Sequence, residues 1–162
     1  MGEGSNSARY CYSVWLRHLV MMYEHGYRNC LPKHFAELGP GNSLGVGLAA
    51  LLTGSEKYLA FDIMEHADIA TNLKVFDGLV ELFENEKDIP DGKEIPDDQP
   101  TLRCYAFPHD ILSEERLDRV LAKWRIEQIR YSIERQNAHG SMIHPTFRGS
   151  RSALFPILRW SF

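Results

Sequence analysis

The stretch AELGPGNSLGVG places a carboxylate, Glu37, immediately ahead of a turn punctuated by Gly39, Gly41 and Gly45. Glycine allows positive φ and lets a ligand approach bare backbone, while a helix opening after the turn would present unpaired amide donors. Twenty-one residues past Gly41 stands Asp62, closing the apolar run YLAFDI, where a carboxylate can take both hydroxyls of a ribose. Together these residues predict a nucleoside site. The spacing also discriminates, because a dinucleotide fingerprint is GxGxxG and this chain has Leu44 at the third glycine position, with the glycine delayed to Gly45. Pro40 stiffens the loop, and the absence of a GxxxxGK[ST] sequence excludes a P-loop. A nicotinamide-dependent oxidoreductase is disfavoured on the same ground.

Other chemistry-bearing residues are less organised. His66 follows Asp62 by four residues and His109 adjoins Asp110, but no HExxH, GxSxG or paired-carboxylate motif surrounds either histidine. Cys11, Cys30 and Cys104 form no CxxC pair that could hold zinc, and read as reduced, buried thiols. No metal site is expected.

The elements that must position the glycine turn can be read from periodicity. Residues 10–25 carry apolar side chains at three- and four-residue steps and predict a helix ended by Gly26; Trp15, Tyr10 and Tyr12 on it are expected mainly in the core, although they could lid the site. Residues 33–38 and 57–63 read as strands and residues 44–52 as the helix between them. This is a strand–helix–strand unit, which calls for a right-handed crossover and parallel strands, with the second strand buried on both faces. A helix over residues 66–83 follows, with Ile69, Leu73, Phe76, Val80 and Phe83 as its apolar stripe. Residues 84–98 hold seven acids against two lysines, with Pro90 and Pro96, and predict a solvated surface loop. Ser113, ahead of Glu114 and Glu115, predicts an N-cap that opens one or two helices running to about residue 136.

Composition bounds the class. The chain has 162 residues, 44% of them hydrophobic and 25% charged, enough for one globular domain with a core that needs no disulfide. A net charge of −4 gives no global attraction to nucleic acid or an anionic membrane. The apolar stretch from residue 11 to 23 contains Arg17 and His18, so no membrane span is expected; without a basic leader the default compartment is the cytoplasm.

The motif ELGPGNSLGVG with Asp62 resembles the first and second motifs of class I S-adenosylmethionine-dependent methyltransferases. The flanking RYCYSVWLRH and LLTGSEKYLAFDIMEHAD look like a bacterial subgroup of that family whose substrates are poorly defined, with saccharides as one class. The likeness covers residues 8–144. It implies an enzyme binding S-adenosylmethionine through Glu37, Gly39, Pro40, Gly41, Asp62 and Ile63, in which the acid and glycine loop cradle the methionine portion and Asp62 holds the ribose. Methyl transfer to a small molecule or saccharide is the activity implied, with the protein supplying mainly alignment.

The implied organisation is a helical segment over 1–30, a partial methyltransferase domain over 31–144 with an acidic and helical insertion at 84–138, and an atypical basic and apolar tail over 145–162. Residues 142–144 read as the opening of a third strand, and the tail, with Arg148, Arg151 and Arg159, departs from the family pattern. The fold class expected is therefore α/β, the N-terminal part of a doubly wound (Rossmann-like) sheet, incomplete at the C-terminus and impaired by truncation. An uncovered sheet edge predicts self-association. A non-catalytic nucleotide-binding remnant or interaction protein is the alternative.

Overall fold

The computed structural model describes residues 4–28, 31–62, 68–96, 99–135 and 142–143. In chain order the elements are α1 (Ala8–Glu24), β1 (His34–Leu38), α2 (Gly45–Thr53), β2 (Lys57–Phe61), α3 (Ile69–Glu84), α4 (Glu114–Val120), α5 (Lys123–Glu134) and β3 (Met142–Ile143). Local chemistry sets most of the boundaries. Ser7 opens α1 by accepting from the Tyr10 amide, and Gly26, at φ 106°, follows its end as the sequence predicts. Asp68 caps α3 through the Thr71 amide at 2.9 Å, and Ser113 caps α4 with Glu114 and Glu115 in its first turn.

β1 and β2 pair in parallel with Glu37 opposite Ala60 and Leu38 opposite Phe61, which is the strand–helix–strand unit read from the sequence. The sheet order is β1-β2-β3, and β3 runs antiparallel to β2. Its direction follows from α5. The Arg125 guanidinium donates to the Leu51 and Ser55 carbonyls at 2.8 and 2.9 Å, so α5 starts beside the end of α2, at the amino edge of the sheet. Arg130 then pairs with Asp77 partway along α3. The chain therefore leaves α5 at the carboxyl edge and enters β3 in reverse. A doubly wound sheet would continue with a parallel strand here; this pairing departs from it, and what is established is a mixed α/β fold.

α1, α2 and α3 pack against one another, and α2 lies on β1 and β2. Phe35 packs edge-on against Trp15 and stacks with Tyr58, and Tyr58 and Ala60 are buried. On the opposite face Leu38 is 84% and Phe61 53% exposed. The expectation that β2 is buried on both faces is thus corrected: among the described residues the helices cover only one. The stripe expected on α3 is rotated for the same reason. Asn72, Val75, Phe76, Leu79 and Phe83 face the core, while Ile69 is exposed. Trp15 and Tyr12 are fully buried, the tryptophan donating to Thr53 Oγ1 at 2.8 Å, so neither forms a lid.

The acidic segment is a largely exposed loop, as expected, but it is not solvated throughout. Ile89, Pro90 and Ile95 are buried, and α1 holds the segment through two arginines. Arg9 makes a bidentate pair with Glu94 at 2.6 and 2.9 Å and also donates to the Asp88 carbonyl. Arg17, fully buried, donates to the Pro90 carbonyl at 2.7 Å, the Pro100 carbonyl at 3.3 Å and Ser13 Oγ at 3.0 Å, and lies over the Tyr105 ring. The charge density that reads as surface belongs to the rim, and Ile89, Pro90 and Ile95 between those charges pack inward. No helix among the described residues is long and apolar enough to cross a membrane. Of the cysteines, Cys11 is buried as expected and Cys104 is exposed, corrected because its segment runs along the surface; Cys30 lies outside the described residues.

Replacing Arg17 with methionine keeps the apolar stem and leaves the Pro90 carbonyl without its buried charged donor. The expected outcome is a loss of about 3 kcal/mol in urea unfolding, with faster proteolysis within residues 85–112. Unchanged values would mean that apolar contacts alone hold the segment.

Candidate functional site

The carboxyl ends of β1 and β2 lie side by side, and α1, α2 and α3 all begin at that end. The Gly39 amide donates to the Phe61 carbonyl at 2.8 Å, which ties the turn to the end of β2 and brings it next to Asp62. Gly39 has φ 67°, and a side chain there would meet no atom of the described residues, so among them its face of the turn is open. Gly41 has φ 77°, but a Cβ there would stand 2.9 Å from Ser5 Oγ. What approaches Gly41 is the chain itself. Pro40 is buried and Asp62 exposed; Ile63 and His66 lie outside the described residues. His109 lies beyond the acidic segment but contacts it, 3.5 Å from Glu86 and edge-on to Phe107, and is not assembled with these groups.

Glu37 points to the helix side of the sheet, where it is half-buried and accepts from the Tyr58 hydroxyl at 2.6 Å. Tyr58 is fully buried, and a Cβ at Gly47 would collide with its ring, so α2 lies directly on it. Burial pushes the Glu37 carboxyl above the ordinary glutamate value, and the Tyr58 hydrogen bond partly offsets this. The tyrosine is raised by its own burial and by the adjacent carboxylate, so it remains a donor. Burial likewise raises the neighbouring Cys11 thiol to about 12, which keeps it protonated and unreactive.

The start of α2 differs from what the sequence suggests. The Asn42 amide donates to Ser5 Oγ at 2.8 Å, the Leu44 amide to Asn72 Oδ1 at 2.8 Å and the Gly45 amide to Ser43 Oγ at 3.1 Å. Ser43 Oγ in turn donates to the Ser5 carbonyl, as does the Cys11 thiol at 3.2 Å. The expected row of unpaired donors is therefore absent for these three amides, because side chains from α3, the N-terminal segment and the turn satisfy them. Phosphate recognition needs such donors.

The structure thus brings together Glu37, Gly39, Pro40, Gly41 and Asp62 at one edge. Sequence reasoning missed Ser5, Ser43, Asn72 and Tyr58. A signal existed for Asn72 alone, a polar residue set among the apolar positions of α3. No cluster of histidine, cysteine or carboxylate side chains suited to a metal occurs among the described residues. Compared with family models, with curated proteins and with solved structures, the chain matches none.

Because the folded-state value of Glu37 is raised, the carboxylate form costs stability. That cost is absent below the ordinary glutamate value, where both states are protonated, and appears as pH rises through the folded-state value. Glu37→Gln retains an acceptor for Tyr58 and removes the charge. Urea unfolding between about pH 4 and pH 7 should show the variant gaining stability relative to the parent as pH rises. A gap that stays constant across this range would contradict a buried, charged Glu37.

Proposed function

We propose that this chain is a class I S-adenosylmethionine-dependent methyltransferase of the cytoplasm, acting on a small molecule or saccharide, built on the first half of a doubly wound sheet. The observation that carries this reading is an open glycine turn flanked by two strand-end carboxylates, with its Asn42, Leu44 and Gly45 amides taken by the chain's own side chains. S-adenosylmethionine presents a cationic sulfonium, an ammonium and ribose hydroxyls, and no phosphate. When bound, it supplies a methyl group already activated by the positive sulfur.

The residues present fit such a ligand. Glu37 accepts from the ammonium directly or through water, its orientation fixed by Tyr58. Gly39 lets the ligand lie against backbone, and Asp62 fixes the ribose through both hydroxyls. Their contribution is alignment of the methyl carbon, worth several powers of ten in effective concentration. A nicotinamide dinucleotide fits less well, since the Asn42, Leu44 and Gly45 amides that a pyrophosphate would seek are already held by Ser5, Asn72 and Ser43.

The sheet face that no described helix covers supports the second reading, a non-catalytic nucleotide-binding remnant or interaction protein. Leu38 and Phe61 are paired in register beside the turn, and β1 is an edge strand. Such an edge favours self-association. Light scattering after size exclusion should give a mass above the monomer that Leu38→Lys with Phe61→Lys returns toward it; a monomeric parent would remove the edge from the account.

Calorimetry tests the cofactor. S-adenosylhomocysteine should bind and NAD should not. Asp62→Ala deletes charge-assisted hydrogen bonds of about 1.5–3 kcal/mol each, so affinity should fall at least tenfold, and Gly41→Val should lose more because it combines a positive φ with the Ser5 contact. Equal affinity in parent and Asp62→Ala would reassign the ribose ligand.

A further inference from the structure

We propose that Tyr58 is a positioning residue, turning the Glu37 carboxylate so that one oxygen is held inside and the other is presented to a ligand's primary ammonium. The inference rests on the nucleoside reading of the site and narrows the ligand to nucleosides that carry an ammonium-bearing arm. The Tyr58 hydroxyl donates to Glu37 Oε2 at 2.6 Å, while Oε1 has no hydrogen bond among the described residues and the glutamate is only half-buried. A carboxylate held in this way offers one oxygen, which suits a single N–H donor better than a bidentate guanidinium.

The tyrosine is itself fixed. It pairs in register with Phe35, stacks on that ring at 5.8 Å between centroids, and lies against α2 at Gly47, where a Cβ would collide with it. From there its hydroxyl reaches two residues further along β1, toward the carboxyl edge where the glycine turn begins. Tyr58 is fully buried, so no ligand touches it and it acts only through Glu37. The titratable groups that face the glutamate are Tyr58 from β2 and Cys11 from α1; α2 carries none, and none from α3 acts on it. Cys11, with its thiol raised to about 12, stays uncharged. Among the described residues the Tyr58 hydroxyl is therefore the group that favours the ionised carboxylate against the burial that disfavours it.

The test is calorimetry with S-adenosylhomocysteine and with 5′-methylthioadenosine, which keeps the nucleoside and the thioether and lacks the amino-acid arm. Tyr58→Phe retains the ring and its packing and removes the hydroxyl. It should weaken S-adenosylhomocysteine about fivefold, the cost of ordering a side chain no longer held in place, and leave 5′-methylthioadenosine unchanged. On acidification its S-adenosylhomocysteine affinity should also fall at a higher pH than the parent's, because the carboxylate protonates earlier without the hydroxyl. In a Glu37→Gln background the same substitution should alter neither ligand. Equal losses for both ligands, a pH profile that does not move, or a Tyr58→Phe protein that fails a thermal-melt check of folding would make the tyrosine purely structural and overturn the proposal. So would a parent that binds the two ligands equally. A parent that binds neither contradicts the nucleoside reading itself, an outcome distinct from a parent that prefers S-adenosylhomocysteine and a variant that keeps that preference.

Discussion

The rest of the site depends on how closely α2 lies on β2. At Gly47 any side chain would collide with the Tyr58 ring, so the helix sits on the tyrosine with nothing between them. That contact locks the ring, which also stacks with Phe35 and aims its hydroxyl at Glu37. Two residues earlier, Gly45 does the same for the helices, since a Cβ there would collide with Cys11 and meet Val75 of α3 at 2.8 Å. Close packing at these two glycines draws three helix starts to the carboxyl edge of the sheet. Only at this separation can Ser5 and Asn72 reach the Asn42 and Leu44 amides ahead of α2.

The electrostatic character of the edge follows from the same packing. Helix starts gathered at one end would ordinarily create an anion site. Here Ser7 and Asp68 cap α1 and α3, and borrowed oxygens hold three amides at the start of α2. Two carboxylates, Glu37 and Asp62, then stand at an edge with few donors left to offer. A ligand carrying positive charge and hydroxyl groups suits that balance better than one carrying phosphate.

Much of this was legible in the sequence, and the reasons for the rest are physical. The glycine spacing, the acids ending both strands, the parallel pair, the end of α1 near Gly26 and the Ser113 cap are all local patterns, and each is present. The capping of α2 was not legible, because its acceptors come from 28 and 37 residues away. Nor was the interior of the acidic segment, where Arg17 crosses from α1 to hold two proline carbonyls. An apolar strand reads as buried on both faces whether or not helices cover both, and only the placement of α1, α2 and α3 shows that they cover one. The antiparallel entry of β3 depends on where α5 begins, which Arg125 fixes through contacts 70 and 74 residues distant.

The central claim is that a phosphate-free nucleoside ligand occupies the turn between Glu37 and Asp62. A titration of the isotope-labelled protein with S-adenosylhomocysteine, followed by amide NMR, tests it most directly. The account predicts saturable shifts at Gly39, Gly41 and Asp62, with the α5 amides near Arg125 unchanged. Shifts clustered on α5 or along the acidic segment, or no saturable shifts at all, would contradict it.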